Sequence, residues 1–356
     1  MNRIKALKQV FEQKGFDGFL IANNLNIFYL SGVEGASCLL IPGKSENTIY
    51  VYGVNYEQAK ADGKGFDVEL VGRDENLMAR IAKRAKALGL KKLAVDALNS
   101  ETYCSLAKDT RGNTRIKAQG NLVWELRKVK DEEELKLMRK AGELTVTGMK
   151  AAHETLDPGL EEIQVAAEIE YAMRRKGSWG IAFETSVASG VRSAFPHGGC
   201  TDRKIRAGDL VVIDIGAKYH HYCSDMTRTF VAGKSSEKQM KLYRIVHEAQ
   251  SKAHEAIRLG AKGRNVDTVA RNVIEKAGYG EYFVHGLGHG IGLEVHEPPS
   301  LSPVSKDKLA VGNVVTNEPG IYLVGFGGIR VEDSVLVGKR AAEKLTQGLN
   351  TLETER

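Results

Sequence analysis

The chain has 356 residues, which is enough for two domains with sizeable cores. Hydrophobic residues make up 42% and charged residues 27%, as in an ordinary globular protein. No run approaches the ~18 apolar residues of a membrane span, so no membrane partner is expected. Lys and Arg (51) exceed Asp and Glu (45), but no stretch of five or more clustered basic residues occurs, which argues against nucleic-acid binding.

The amino-terminal sequence MNRIKALKQVFEQKGFDGFL carries charges throughout and has the pattern of an amphipathic helix. It lacks the continuous apolar core of a signal peptide. The cysteines are scattered without a CxxC pair, which is typical of reduced thiols. They are Cys38, Cys104, Cys200 and Cys223. Both features favour a cytoplasmic protein.

The first part of the chain alternates helix and strand patterns. A helix is predicted from Ile4 to Lys14, followed by an apolar strand, GFLIA, near Leu20. Further strand-like runs are SCLLI, TIYVY, DVELV and KLAVD, and ENLMARIAKRAKALG (75–89) predicts a helix. Strands alternating with helices indicate a small α/β domain with a mixed sheet, which we place at residues 1–122. It has no glycine-rich phosphate loop, because IPGKSENT lacks the first glycine of one.

From residue 123 onward the sequence is dominated by long helix patterns. The first runs through KVKDEEELKLMRKAGELTVTGMKAAHETL, with Asp131 as N-cap and acids in its first turn that complement the helix dipole. A DPG break separates it from a second helix that ends at Gly177. A weakly similar pair begins at MKLYR (240–244), and β-rich segments follow each pair. This repeated order predicts a duplicated α+β domain over residues 123–356, with a cleft between its halves.

Four β-rich stretches set an acid or imidazole among apolar or glycine residues. They are VVIDIGAKYHHYCSDMTRTF (211–230), HGLGHGIGLEVHE (285–297), VVTNEPGIYLV (314–324) and GGIRVEDSVLV (327–337). Each acid alone fits a strand end or a salt-bridge partner, but several converging carboxylates need a cation. Arginine could serve, and an oxygen-rich site with one imidazole also fits manganese, cobalt or zinc. Two ions sharing bridging carboxylates can hold a hydroxide and polarise a carbonyl, as in a two-metal hydrolase.

The motifs IDIG…SDMTRTF, GHGIGLEVHE, NEPGIY and IRVED resemble those of the pita-bread metallopeptidases, which include Xaa-Pro dipeptidase (prolidase), aminopeptidase P and methionine aminopeptidase. The resemblance is strong over about 123–340, and the first 120 residues resemble the creatinase-type amino-terminal domain. It implies an α+β pita-bread catalytic domain that binds two divalent metal ions per subunit. The implied ligands are Asp214, Asp225, His289, Glu318 and Glu332.

The resemblance also implies a role for each ligand. Asp214 would chelate one ion with both oxygens, and Asp225 and Glu332 would bridge the pair. His289 and Glu318 would complete the second ion, and Glu318 would take the proton of the bridging water as general base. The residues alone predict clustered acids without these roles. The eleven-residue spacing between Asp214 and Asp225 also fits a hairpin, with Asp214 on one strand and Asp225 on the next.

Three further histidines and one arginine complete the expected site. His197 lies in the loop sequence SAFPHGG, and a histidine in an arbitrary loop would face solvent. The resemblance implies instead that His197 lines the substrate pocket and hydrogen-bonds the reacting centre. His296 is implied to hold the substrate carbonyl and stabilise the tetrahedral intermediate. His285 fits either a packed structural residue or a pocket group, and the resemblance favours the pocket. Arg330, otherwise a surface residue, is expected to pair with Asp214.

The proline-directed branch is favoured by the amino-terminal domain and by SAFPHG. An Xaa-Pro bond is a tertiary amide without an N–H, which suits a dedicated peptidase. The short amino-terminal domain and the overall length resemble those of compact prokaryotic prolidases, and this resemblance favours an Xaa-Pro dipeptidase. Xaa-Pro aminopeptidase activity on longer peptides stays open, because VHEPPSLS offers Ser300 and no nearby Arg where some prolidases bind the dipeptide's carboxylate. Creatinase and non-catalytic protein-binding relatives are remote alternatives, since they lack the ligand set found here. The resemblance also implies a homodimer.

Overall fold

The computed structural model describes residues 3–354, which form two compact units separated between Arg127 and Lys128. The first unit is α/β and the second is α+β, so the fold classes predicted for the two parts of the chain are confirmed. Within residues 3–354, no helix is both long enough and apolar enough to cross a bilayer.

The first unit contains a six-stranded mixed sheet among its described residues. Its helices are α1 (Arg3–Gln13), α2 (Asn24–Ser31), α3 (Gly53–Asp62), α4 (Leu77–Ala87), α5 (Ser100–Asp109) and the single turn α6 (Trp124–Arg127). Its strands are β1 (Gly18–Ile21), β2 (Cys38–Pro42), β3 (Thr48–Tyr52), β4 (Asp67–Val71), β5 (Lys92–Val95) and β6 (Arg115–Ala118). They lie in the order β4-β3-β2-β1-β5-β6, with β1 parallel to β5 and antiparallel to β2.

Local sequence explains how several of these helices begin. Asn23, Asn76 and Asn99 each accept a hydrogen bond from a backbone N–H in the first turn of α2, α4 and α5. Asparagine is a favoured N-cap because its short side chain satisfies a donor that has no partner within the helix. The central strands β1 and β2 are buried along their whole length, as their continuous apolar runs predict.

The second unit contains two long helix pairs and several small antiparallel sheets. The helices are α7 (Glu132–Thr155), α8 (Glu162–Arg175), α9 (Glu237–Ala256) and α10 (Gly263–Lys276). The strands of the first half are β7 (Gly180–Ile181), β8 (Ser186–Ser189), β9 (Leu210–Ile215), β10 (Ala217–Tyr219), β11 (Tyr222–Cys223) and β12 (Met226–Val231). Those of the second half are β13 (Gly288–Gly290), β14 (Glu297–Leu301), β15 (Val314–Asn317), β16 (Gly320–Leu323), β17 (Gly327–Arg330), β18 (Asp333–Val337) and β19 (Ala342–Lys344).

The predicted repeat of helix, helix and strands is therefore present. As predicted, α7 begins after Asp131, where a capping box joins the Asp131 side chain to the Glu134 amide and the Glu134 side chain to the Asp131 amide. One apolar core packs α7 and α8 with β9, and a second packs α9 and α10 with β15 and β18. Each half thus supplies a rigid platform of strands backed by two helices.

The strands β9 and β12 pair antiparallel and bring Asp214 opposite Thr227. Asp225 lies immediately before β12. The predicted antiparallel arrangement of the two segments is present, but Asp225 is not on the next strand, because β10 and β11 form a small hairpin of their own between β9 and β12. In the other half β15 pairs with β18, so that Asn317 faces Asp333, and the neighbouring residues Glu318 and Glu332 come from adjacent strand ends.

Candidate metal centre

The acids of the first half each keep one buried oxygen without a partner. Asp214 Oδ2 lies 2.7 Å from Arg330 Nη2, whereas no described residue hydrogen-bonds Asp214 Oδ1. Asp225 is 5% exposed, and its Oδ1 likewise lacks a hydrogen-bond partner within residues 3–354. A buried carboxylate oxygen without a donor is costly, so these two oxygens indicate room for a further cation.

His289 and Glu318 face these acids from the second half. His289 Nε2 lies 3.3 Å from Glu318 Oε1 and 3.7 Å from Asp225 Oδ2. His289 Nδ1 lies 3.1 Å from the carbonyl oxygen of Gly290, which can only accept, so Nδ1 is the donor. When it is neutral, as a metal ligand must be, His289 therefore has its lone pair on Nε2, whereas the charged imidazole of the metal-free protein donates from Nε2 to Glu318.

Glu332 completes the cluster from the segment between β17 and β18. It is 1% exposed, and its Oε2 accepts a hydrogen bond of 2.6 Å from the Thr227 hydroxyl. Ligand atoms of Asp225, His289 and Glu332 all lie within 4.8 Å of one another. Three such atoms at this separation are close enough to share one divalent ion.

The pKa values of the cluster reflect its crowding in the absence of metal. Burial raises the pKa of Asp225 well above its ordinary value, and Glu332 and Asp214 raise it further. Burial raises the pKa of Glu332 in the same way, followed by Glu318 and Asp214. Burial also opposes the ionisation of Glu318, but its hydrogen bond to His289 and the charge of that imidazole outweigh burial and lower its pKa to about 2. The same contact raises the pKa of His289 against the effect of burial.

A chain of hydrogen bonds leads from Asp214 to His285. Besides contacting Asp214, the Arg330 guanidinium donates from Nη1 to the Tyr322 hydroxyl at 2.9 Å. Tyr322 Oη lies 2.9 Å from His285 Nε2, and His285 Nδ1 lies 2.8 Å from the carbonyl oxygen of Gly286. Since Nδ1 must donate to that carbonyl, a neutral His285 accepts from Tyr322. Tyr322 is a site residue that sequence reasoning missed.

One cavity of about 550 Å³ collects the predicted residues. All nine line it: His197, Asp214, Asp225, His285, His289, His296, Glu318, Arg330 and Glu332. The His296 ring lies against the His289 ring, with centroids 4.1 Å apart and the ring planes tilted by 48°. Partial burial and the neighbouring His289 lower the pKa of His296. The sequence-predicted residues thus meet in a single site within the second unit.

The hydroxyl groups of Thr227 and Thr316 and a buried hydrogen-bond network around Arg228 support the ligands. Neither the threonines nor the network was predicted from the sequence. The Thr316 hydroxyl donates to Glu318 Oε1 at 3.0 Å, as Thr227 does to Glu332. Arg228, 1% exposed, donates to the Glu332 carbonyl at 2.5 Å and to Asp333 Oδ1 at 2.8 Å. Period-two spacing was an available signal for the threonines, because each lies two residues from a predicted ligand on or beside a strand.

The described residues fit a divalent metal. Four carboxylates and one imidazole form a hard, oxygen-rich donor set, and two of the carboxylates have unpartnered buried oxygens. The only guanidinium or ammonium group lining the cavity in the described part of the chain is that of Arg330, which contacts Asp214 alone among the acids by hydrogen bond. A single arginine leaves the other carboxylates uncompensated, so protons or metal must supply the remaining positive charge.

Comparison with known proteins agrees with this geometry. Residues 136–339 match metallopeptidase family M24, and residues 3–129 match the creatinase/prolidase N-terminal domain. An Xaa-Pro dipeptidase of Pyrococcus horikoshii is 40% identical over 348 residues, covering 97% of each chain. The structure of an Xaa-Pro dipeptidase from Bacillus anthracis has a TM-score of 0.94 at 35% identity, covering 99% of this chain and 98% of that one.

An X-Pro aminopeptidase structure from Thermotoga maritima is also similar, with a TM-score of 0.87 at 34% identity, covering 97% of this chain and 99% of that one. The chain belongs to metallopeptidase family M24. The family and fold that the motifs predicted are thereby confirmed, as is the prediction of a metallopeptidase.

Proposed function

We propose that this protein is a dinuclear metal-dependent peptidase that hydrolyses the Xaa-Pro bond of dipeptides. The observation that carries the proposal is the convergence of four carboxylates and His289 in one cavity, with buried carboxylate oxygens that have no protein donor. The Xaa-Pro dipeptidase from Pyrococcus horikoshii, 40% identical along nearly the whole chain, supports the choice of substrate.

The proposed metal ligands are Asp214, Asp225, His289, Glu318 and Glu332. Divalent ions held by them, manganese, cobalt or zinc, would supply Lewis acidity towards the scissile carbonyl and the attacking water. The raised pKa values of Asp225 and Glu332 favour their protonated forms in the metal-free protein, and metal binding must displace such protons. The Arg330 guanidinium holds Asp214 in a fixed orientation through Oδ2 and leaves Oδ1 available.

Glu318 is proposed as the general base. Thr316 and His289 both contact its Oε1, which orients the carboxylate and leaves Oε2 to take a proton from the attacking water. The proton would then pass from Glu318 to the proline nitrogen as that amine leaves. The rigid strand ends on either side of Glu318 suit this role, because proton transfer requires the acceptor to be held within hydrogen-bond distance.

His296 and His197 are proposed to bind the substrate around the reacting carbonyl. A lowered pKa keeps His296 neutral near pH 7, and a neutral imidazole can donate a hydrogen bond to a developing oxyanion. His197 lines the same cavity beside Pro196 and would hydrogen-bond the reacting centre. Neither residue is proposed as a metal ligand.

The test is a comparison of metal-free protein with protein given manganese, cobalt or zinc, using Gly-Pro-type dipeptides. We expect activity only with a divalent ion, and Glu318→Gln should abolish turnover while retaining the fold by circular dichroism. Glu168→Gln, on the exposed side of α8, is the matched control and should keep full activity. Activity that persists without any metal would refute the proposal, and near wild-type turnover of the Glu318 variant would remove it as the base.

An Xaa-Pro aminopeptidase acting on longer peptides is a second candidate, favoured by the lining of the cavity. Among residues 3–354 no lysine lines it, and Arg330 is engaged by Asp214 and Tyr322. The Ser300 and Ser302 hydroxyls, 3.2 Å apart, offer a neutral surface instead of a cation for a dipeptide's carboxylate. Hydrolysis of Gly-Pro but not Gly-Pro-Ala would support the dipeptidase, whereas comparable rates would favour the aminopeptidase.

A further inference from the structure

A buried ion pair lies behind the turn that carries His296. Lys130 Nζ is 2.7 Å from Glu297 Oε1, and each side chain is 1% exposed. The backbone of Lys130 is also fixed, since its N–H donates to the carbonyl oxygen of Gly312 at 2.9 Å. Neither charged group lines the cavity, so the proposed chemistry does not use the pair directly.

The pair is packed against the turn itself. Glu297 follows His296 directly and pairs with Gly290 across β13 and β14. A methyl group on Gly292 would lie 2.6 Å from Glu297 Oε1 and 3.0 Å from Lys130 Cε, so the backbone of the turn lies directly over the two side chains. On its other side, the same turn is fixed by a hydrogen bond of 2.7 Å from the Cys223 N–H to the Gly292 carbonyl oxygen.

We propose that Lys130 is a positioning residue that acts through Glu297 on His296. The inference rests on the proposed function only in the role it assigns to His296. Lys130 holds the Glu297 carboxylate in one place, and Glu297 is bonded in the chain to the residue that contacts the substrate carbonyl. A charge-assisted hydrogen bond is short and directional, so it limits movement of the turn more than apolar contact does. Such support matters because displacing a catalytic group by about 1 Å can cost up to about 100-fold in rate.

The activity test uses graded variants of Glu297. Glu297→Ala should lower kcat by at least about tenfold with little change in KM, because the group that it misplaces acts on the transition state. Glu297→Gln keeps a hydrogen-bond acceptor for Lys130 and should restore most of the rate. Lys136→Met, which removes an exposed lysine paired with Glu133, is the control and should leave kcat unchanged. Equal kcat for the folded Ala variant and the wild type would overturn the proposal.

A merely structural role is excluded by repeating the substitution in a His296→Ala background. If Lys130 and Glu297 act through His296, Glu297→Ala should cause no further loss of kcat there, whereas independent effects would multiply and overturn the inference. Lys130→Met leaves the Glu297 carboxylate buried without its cation, which destabilises the fold, so the double variant Lys130→Met with Glu297→Leu serves as its folded counterpart. That double variant should also lose at least about tenfold in kcat, and a wild-type rate in it would count against the proposal.

A spectroscopic measurement separates this inference from the proposed function. The imidazole signal of His296 can be observed in histidine-labelled, metal-free protein and assigned by its absence in His296→Ala. We expect Glu297→Ala to shift and broaden that signal, with the Lys136→Met spectrum unchanged. An unmoved His296 signal would overturn the positioning role even in an active enzyme. A shifted His296 signal in a protein without peptidase activity would support the positioning role but refute the proposed function.

Discussion

Without metal, the second unit should become less stable as the pH rises, because two of its buried carboxyl groups have higher pKa values in the fold than in the unfolded chain. Burial, together with the neighbouring acids, raises the pKa values of Asp225 and Glu332 well above their ordinary range. A group whose folded pKa is raised stabilises the fold fully below its unfolded pKa. That contribution is lost as the pH rises through the folded pKa. The perturbation is therefore removal of metal by a chelator, followed by a change of pH from 5 to 8.

The expected magnitude follows from proton linkage. Above about pH 5 the unfolded chain has released both protons, so each group lowers the free energy of unfolding by about 1.4 kcal/mol per pH unit over the range in which the fold still holds its proton. The two together give up to about 2.8 kcal/mol per pH unit until the folded pKa values are passed. His289, with its raised pKa, adds the same sign of slope from about pH 6.5. Glu318 has the opposite sign, but its pKa of about 2 confines that loss to pH values below this window.

The assay is urea unfolding of the chelated protein at several pH values. Asp225→Asn should remove one of the two contributions and reduce the slope by about 1.4 kcal/mol per pH unit, while Glu168→Gln, an exposed acid on α8, should leave it unchanged. Added manganese or zinc should stabilise the wild type more at pH 8 than at pH 5, since the ligands must be deprotonated. A stability that does not fall between pH 5 and 8, or an Asn variant with the wild-type slope, would refute the reasoning.

Two further predictions concern the frame around the site. Arg228→Met should lower the free energy of unfolding by about 1–3 kcal/mol in urea titrations, because it removes the donors to Asp333 Oδ1 and to the Glu332 carbonyl oxygen, while Lys344 still pairs with Asp333 at 2.7 Å. Arg228→Lys should cost less, and equal losses for the two variants would contradict the importance of the retained charge. Gly288→Ala should lower both Tm and metal affinity, because its Cβ would lie 2.1 Å from the Thr316 carbonyl oxygen. Gly53→Ala, with no atom within 4 Å of the new methyl group, should leave both unchanged, and a wild-type Tm for the Gly288 variant would contradict the expected clash.

The site was predictable wherever a local pattern carried the information. Asp214 follows a run of strand residues and Glu318 follows another, so a carboxylate in an apolar context was visible without the structure. The start of α7 was equally local, because Asp131 and Glu134 have the spacing of a capping box. Patterns of this kind need only a few neighbouring residues to be recognised.

Two buried contacts between distant charged residues could not be predicted in this way. Arg228 and Asp333 are 105 positions apart, and Lys130 and Glu297 are 167 apart. Each of these residues is of a charged type that is usually found at the surface. Its partner depends on which strands become neighbours in the fold. The bounds of short helices between the strands of the first unit, such as α2 and α3, were not predicted for a different reason. The α2 sequence NLNIFYLS is too short and too uniformly apolar to show a helical stripe.

Two kinds of positive charge compensate the acids of the metal-free site, the Arg330 guanidinium and protons on the carboxyl groups. The difference between them determines which of them metal can replace. Arg330 cannot lose its charge near neutral pH, so it remains a charged partner for Asp214 Oδ2, and Asp214 Oδ1 has no donor among the described residues. The protons on Asp225 and Glu332, in contrast, occupy the positions that metal would neutralise, and they can leave. Metal therefore competes with protons at these two acids and not with the arginine. The fold can keep Asp214 oriented throughout metal exchange, while the affinity for metal should weaken as the pH falls.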